Sequence, residues 1–222
     1  MIKVYGYRLS PYVERVYQQV HSKGIEAEFE FLPIPDGDLK SAEYTAMNPF
    51  GKMPVLVDGD LNIPESAIIC EYIEGKFTDT PLTPLDKDER LAINLIMRLL
   101  DIYIFPNMFA ATAEMRAEKV DKAKVAARFV EVNTALDMIE KFAVTTGSGH
   151  LVGNQWSLAD CALVPADFLF TKIMTPASFD VYENRPNMKA WHEAQQYTPR
   201  MTDAHKAMGK ELVAFLQRMK EQ

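Results

Sequence analysis

Residues 48–69 read NPFGKMPVLVDGDLNIPESAII, and the order of signals within them decides the fold. Asn48-Pro49-Phe50-Gly51 is a turn cluster. Pro54-Val55-Leu56-Val57 is a compact apolar strand, Asp58-Gly59-Asp60 a hairpin turn and Leu61-Asn62-Ile63 the returning strand. From Glu65 onward Ile68, Ile69, Tyr72 and Ile73 recur at helical spacing. The stretch is a ββα unit. Upstream, Ile2–Tyr5 is a short β-favouring run ended by Gly6. After Tyr7-Arg8-Leu9, Ser10-Pro11 opens a helix with Val13, Val16, Tyr17 and Val20 on one face and a stop at Gly24. Glu26–Leu32 alternates as a half-buried strand does, Pro33 and Pro35-Asp36-Gly37 end it, and Leu39–Met47 suits one short helix. The order βαβ–ββα predicts a small sheet covered by helices over residues 1–78.

Thr78–Asp86, with Pro81 and Pro84, reads as a linker. Beyond it the pattern is helical, giving an all-helical domain over residues 87–222. Asp88–Phe109 and Val120–Phe142 are long amphipathic runs, broken from the next helix by Thr145-Thr146-Gly147-Ser148-Gly149. Ser157-Leu158-Ala159-Asp160 has the spacing of a capping box, with Trp156 and Cys161 at the flanking hydrophobic-staple positions. Further helices are expected over Asn187–Gln196 and Thr202–Met219. The fold class is an α/β domain followed by an all-α one.

Among 222 residues, 48% are hydrophobic and the net charge is −7. An acidic surface repels phosphate backbones, so nucleic acid is not an expected partner. The first residues are too short and mixed for a signal peptide, and no run is read as a membrane span. Cys70 and Cys161 lack metal spacing and sit among apolar neighbours, which suits reduced thiols in the cytoplasm. No metal site is expected.

Four features of the first domain carry chemistry. Ser10 either caps its helix or lends a hydroxyl to an anion or thiolate held at the helix N-terminus. Met53-Pro54 is either an ordinary trans proline limiting a strand or a cis bond that turns the Met53 backbone outward toward an extended peptide. Glu65-Ser66 is either helix-start chemistry or a clamp for an ammonium and a carboxylate. Lys40 and Lys52 flank the same loop and suit a second carboxylate, or are simply solvated.

In order and spacing these features resemble the glutathione transferase superfamily. The matching segments are Ser10-Pro11-Tyr12-Val13-Glu14-Arg15-Val16, Asn48 to Leu56, Pro64-Glu65-Ser66-Ala67-Ile68, Ser157-Leu158-Ala159-Asp160 and Arg185-Pro186-Asn187-Met188-Lys189-Ala190-Trp191. The resemblance implies a thioredoxin-like first domain, an all-helical second one, a homodimer, and glutathione as cosubstrate. It implies that Glu65 and Ser66 hold the γ-glutamyl head, Met53 before a cis Pro54 pairs with the cysteinyl backbone, and Lys40 and Lys52 meet the glycyl carboxylate. Ser10 would hydrogen-bond the sulfur, with Tyr5 and Tyr7 as competitors for that role. A small apolar electrophile would lie between the domains against Tyr7, Tyr12, Ile34, Tyr103, Met108 and Phe109. Phe50 resembles an aromatic inserted into a partner subunit, and Asp101 would approach the partner's site.

Position 10 carries no cysteine, which argues against thiol-transfer and reductase branches. The Ser-rich, Cys-containing stretch of the maleylacetoacetate isomerase branch is also missing. The leading expectation is a serine-type transferase. The alternative is a binding or interaction protein that keeps the fold without the chemistry, and a third, poorer option is thiol–disulfide exchange through Cys70 or Cys161.

Overall fold

The computed structural model describes residues 1–84, 86–145, 147–174 and 179–220. Alternation along the first strand sets the architecture: β1 (Ile2–Tyr5) buries Ile2 and Val4 toward one face and turns Tyr5 to the other. β1 runs parallel to β2 (Phe29–Leu32) and antiparallel to β3 (Val55–Asp58), which returns through Gly59-Asp60 into β4 (Leu61–Pro64), so the sheet order is β2-β1-β3-β4. Gly59 occupies the first central position of that hairpin turn with φ +61°, a value that favours glycine.

On one face α1 (Pro11–Lys23) packs beside α3 (Ser66–Lys76), burying Val13, Val16, Val20, Ile69, Cys70 and Ile73. The Gln19 amide donates to the Cys70 carbonyl at 3.0 Å, and the buried Lys23 ammonium pairs with Glu74 at 2.8 Å, so polar groups between these helices are matched. The other face carries Ile34, Tyr44 and Val55, with α2 (Ala42–Met47) supplying Tyr44. This is the thioredoxin-like βαβ–ββα arrangement. The first half of the expected Glu26–Leu32 strand is instead a 3-10 turn, Glu26–Glu28, whose residues are all exposed.

The second unit is built on a continuous 29-residue helix, Lys87–Met115. It comprises α4 (Lys87–Leu99), a π turn at Leu100–Ile104 and α5 (Phe105–Met115). Pro106 removes a backbone donor at the junction, and the Asn107 side chain donates to the Tyr103 carbonyl at 2.7 Å. The expectation that no run is membrane-like needs correction. By length and composition this helix qualifies, although half of its most apolar window is buried within the protein, as in the core helix of a folded domain.

α6 (Lys122–Phe142) is capped by Asp121, which accepts from the Ala123 and Lys124 amides. A parallel pair, β5 (Val144–Thr145) and β6 (Val152–Gly153), precedes α7 (Leu158–Leu169), every residue of which is buried. α8 (Pro186–Gln195) follows, then α9 (Pro199–Lys220). Leu85 and Thr146, within the expected linker and break, lie outside the described residues.

The chain divides into two compact units, Met1–Thr83 with Pro199–Gln222, and Pro84–Thr198. Sequence continuity assigned α9 to the helical domain, whereas the structure groups it with the first unit. The reason is local chemistry: Arg218 lies 5.9 Å from the Tyr7 ring centroid, and Asp203 and His205 are neighbours of Arg8 and Glu14.

Candidate active site

Strand register brings the chemistry-bearing residues to one end of the first sheet. Tyr5, the last residue of β1, lies opposite Val55, the first of β3, and Val55 lies opposite Pro64, the last of β4. The Gly6–Ser10 turn, the Met53-Pro54 dipeptide and Glu65-Ser66 therefore leave the sheet at the same edge. Gly6 is required there by close approach, since a Cβ on it would stand 2.5 Å from a Val13 methyl.

Ser10 is the N-cap residue of α1, partly exposed, with extended backbone angles of −70° and 123°. Its amide donates to Tyr7 and its carbonyl accepts from Val13 and Glu14. Its hydroxyl makes no capping bond, so the cap role available from sequence is not taken up.

The Met53–Pro54 bond is cis. The preceding carbonyl, that of Lys52, accepts from the Asn48 amide at 2.5 Å and the Tyr44 hydroxyl at 2.8 Å. Burial pushes the Tyr44 phenol up to about 12, which keeps it a donor. In a planar trans peptide the N–H opposes the C=O, so pinning the Lys52 carbonyl inward faces the Met53 N–H the other way. Among the described residues that N–H has no partner. Gly51 adopts φ +57° and comes within 2.9 Å, measured from an added Cβ, of the Leu39 carbonyl.

Glu65 precedes α3 with φ +68° and ψ 109°, a conformation that costs a non-glycine residue about 1–3 kcal/mol. It is exposed and makes no side-chain bond to the helix. Ser66, 5% exposed, is the first helical residue, and the first recorded amide bond of the helix is Ile69 to the Glu65 carbonyl at 2.9 Å. Among the described residues the earlier amides have no partner at the positive end of the helix. Lys40 and Lys52 are both exposed, and the Lys40 amide is turned by Asp38 at 2.8 Å.

The aromatic and apolar candidates divide. Tyr7 and Tyr12 are partly exposed in the first unit, and Tyr103 and Phe109 are 45% and 41% exposed in the second. Ile34 and Met108 are corrections. They are 2% and 0% exposed, so both are core, where a Cβ-branched side chain and a flexible thioether fill space and present no surface to a ligand. Tyr5 and Tyr7 pack against the Ile34–Tyr44–Val55 cluster. Phe50 is 72% exposed and Asp101 partly so. Cys70 and Cys161 are buried thiols outside any disulfide.

Sequence reasoning passed over the Arg8–Glu14 pair beside Ser10. Arg8 Nε and Nη2 donate to the two Glu14 oxygens, both at 2.7 Å. A charged residue at the fourth position of a helix with an apolar face was the one available signal.

In the second unit Asp160 is the polar hub. Its carboxylate accepts from the Ser157 amide and hydroxyl at 2.9 and 2.7 Å, the Leu151 amide at 2.9 Å and the Trp191 indole at 2.8 Å. Burial raises its carboxyl, against those four bonds. The Trp156 indole meets Cys161 Sγ at 3.2 Å, the staple contact read from sequence.

A thioredoxin-like domain whose helix N-termini and cis-proline loop converge on one sheet edge, joined to a helical unit with a buried Ser-x-x-Asp box, defines the class of glutathione-using transferases. The chain belongs to the glutathione S-transferase family. Residues 1–75 match the family model described as glutathione S-transferase, N-terminal domain, and residues 98–195 that of the C-terminal domain. The chain is 31% identical over 202 residues to glutathione S-transferase F13 of Arabidopsis thaliana, covering 86% of this chain and 89% of that protein. It is likewise 31% identical over 202 residues to glutathione S-transferase 3 of Zea mays, covering 87% and 88%. Among solved structures, glutathione transferase F7 from Populus trichocarpa aligns with TM-score 0.74 and 27% identity over 94% of this chain and 99% of that one.

Proposed function

We propose that this transferase binds glutathione at the sheet edge of its first unit and activates it as a thiolate for attack on a small apolar electrophile. The observation that carries the reading is Ser10, at the N-terminus of α1 with its hydroxyl unused by the cap. Glu65 and Ser66 hold the γ-glutamyl head, the carboxylate taking the ammonium and the open α3 amides the carboxyl group. The Met53 backbone pairs with the cysteinyl unit, and Lys40 and Lys52 meet the glycyl carboxylate. The electrophile lies against Tyr7 and Tyr12 of the first unit. The protein works as a cytoplasmic homodimer, with exposed Phe50 reaching a partner subunit.

The energetics suffice without a general base. A free thiol titrates at about 8.5, and lowering that by two units requires about 2.7 kcal/mol of preferential thiolate stabilisation. One hydrogen bond to a charged acceptor contributes about 1.5–3 kcal/mol and a helix N-terminus about 0.3–1. The test is conjugation kinetics with aryl halides, epoxides and peroxides for the protein and for Ser10→Ala. Turnover falling far more than glutathione affinity supports the reading. Glutathione binding without turnover on any of these makes a binding protein the better account.

A further inference from the structure

The Ser10 hydroxyl has no protein partner among the described residues, so backbone alone sets its place. That backbone is a tight turn: the Ser10 amide donates to Tyr7 at 3.0 Å, and its carbonyl accepts from Val13 and Glu14 at 3.1 and 2.9 Å. Arg8, two residues before Ser10, reaches over it to Glu14, four residues after. The contact is a bidentate fork at 2.7 Å on both arms, which fixes orientation as well as distance. The fork is itself held, because the guanidinium lies 3.7 Å over the Tyr17 ring and Glu14 accepts from the Gln18 amide at 2.8 Å.

The pair is also an electrostatic matter. Glu14 is fully buried one helical turn from a hydroxyl meant to face a thiolate. A lone carboxylate there would repel the thiolate. Burial is the largest single influence and pulls the Arg8 guanidinium down, but the hydrogen bond and charge attraction to Glu14, with Tyr17 and Asp203 adding, together leave it above its ordinary value. Titratable neighbours also come from α9, Asp203 near Arg8 and His205 near Glu14.

We propose that Arg8 and Glu14 are the positioning residues of this site, closing the Tyr7–Ser10 turn so that the hydroxyl meets the sulfur, with Arg8 cancelling the charge that Glu14 places nearby. The proposal rests on the reading of Ser10 given above.

Three variants separate the parts. Arg8→Lys keeps the charge and loses the fork. Arg8→Met leaves Glu14 unmatched. Arg8→Met with Glu14→Met replaces the pair by apolar side chains of similar length, an exchange that folded proteins commonly tolerate. Each is read by the pKa of bound glutathione from its ultraviolet thiolate absorbance, by kcat and KM, and by melting temperature. Arg8→Lys and the double variant are expected to lose about tenfold in kcat and raise the bound thiol by about one pKa unit, with KM for glutathione nearly unchanged. Arg8→Met raises the thiol further than the double variant does only above the pH at which the unmatched Glu14 takes up a proton, and by the same amount below it. Lower melting temperatures with kcat and thiol pKa unchanged would make the pair merely structural and overturn the proposal. If Ser10→Ala abolishes a thiol shift that the Arg8 variants keep, only this proposal falls. An unshifted thiol in the unaltered protein overturns both it and the reading of Ser10.

Discussion

The helices α7 and α1 are both capped by a serine and use it in opposite ways. At α7, Ser157 is 1% exposed and gives both its amide and its hydroxyl to Asp160, whose other oxygen ties Leu151 and Trp191 into the same node. At α1, Ser10 is partly exposed and its hydroxyl makes no cap bond and has no partner among the described residues. Residue type and helix position are the same, so neither distinguishes a structural cap from a ligand contact. Between these two helices, the residue three positions on does. Asp160 stands at that place in α7 and turns back to Ser157, whereas in α1 the corresponding residue is Val13, which cannot, and the nearby acid Glu14 is claimed by Arg8.

The comparison can be broken most forcefully at Asp160. Asp160→Ala leaves four donors without their acceptor in a buried node, so denaturant unfolding should show a loss of about 3–5 kcal/mol. A smaller effect follows at the cap itself: Ser157→Ala should cost about 1–2 kcal/mol and leave the titration of bound glutathione unmoved. Ser10→Ala should change stability by less than about 0.5 kcal/mol in the same unfolding experiment. If it costs as much as Ser157→Ala, the two serines are alike and the contrast fails.

A last difference is small and depends on pH. In the helical unit, Asp167 on α7 accepts from His192 Nδ1 at 2.7 Å and from the Tyr182 hydroxyl, and the Tyr182 and His192 rings stack at 4.6 Å. The bond to Asp167, more than burial opposes it, raises the His192 imidazole above its ordinary value, with Glu193 adding to the effect. A raised folded-state value means the contribution is complete below the unfolded value of about 6.5 and is lost as pH climbs through the folded one. Because the ring is partly exposed, solvent screening leaves about 0.5 kcal/mol. Melting curves across that range should slope downward for the protein and flatten for His192→Gln, while a slope unchanged by the substitution would contradict the assignment.

Much of this was legible because short-range patterns carried it. The β-favouring run Ile2–Tyr5 and the Asp58-Gly59-Asp60 turn led to the element order βαβ–ββα, and Ser157-x-x-Asp160 to the box, since each signal lies within a few residues. What failed depends on distance through space. Ile34 and Met108 read as pocket walls, but apolar side chains carry no mark of which face they will occupy, and packing buried both. The grouping of α9 with the first unit rests on contacts across some 200 residues of chain, as between Arg218 and Tyr7. Arg8 with Glu14 was missed because one member lies in a loop, where no helical spacing predicts a partner. The strained backbone of Glu65 leaves no trace in residue type at all, because glutamate rarely adopts φ +68°.

The central claim is that the unused hydroxyl of Ser10 faces the sulfur of glutathione. The most direct measurement is the pKa of the glutathione thiol bound to the protein and to Ser10→Ala, read from thiolate absorbance. The account predicts a bound value near 6.5, about two units below the free thiol, and return of most of that shift in the variant. A bound thiol that titrates at about 8.5, or one whose lowered value survives Ser10→Ala, would contradict it.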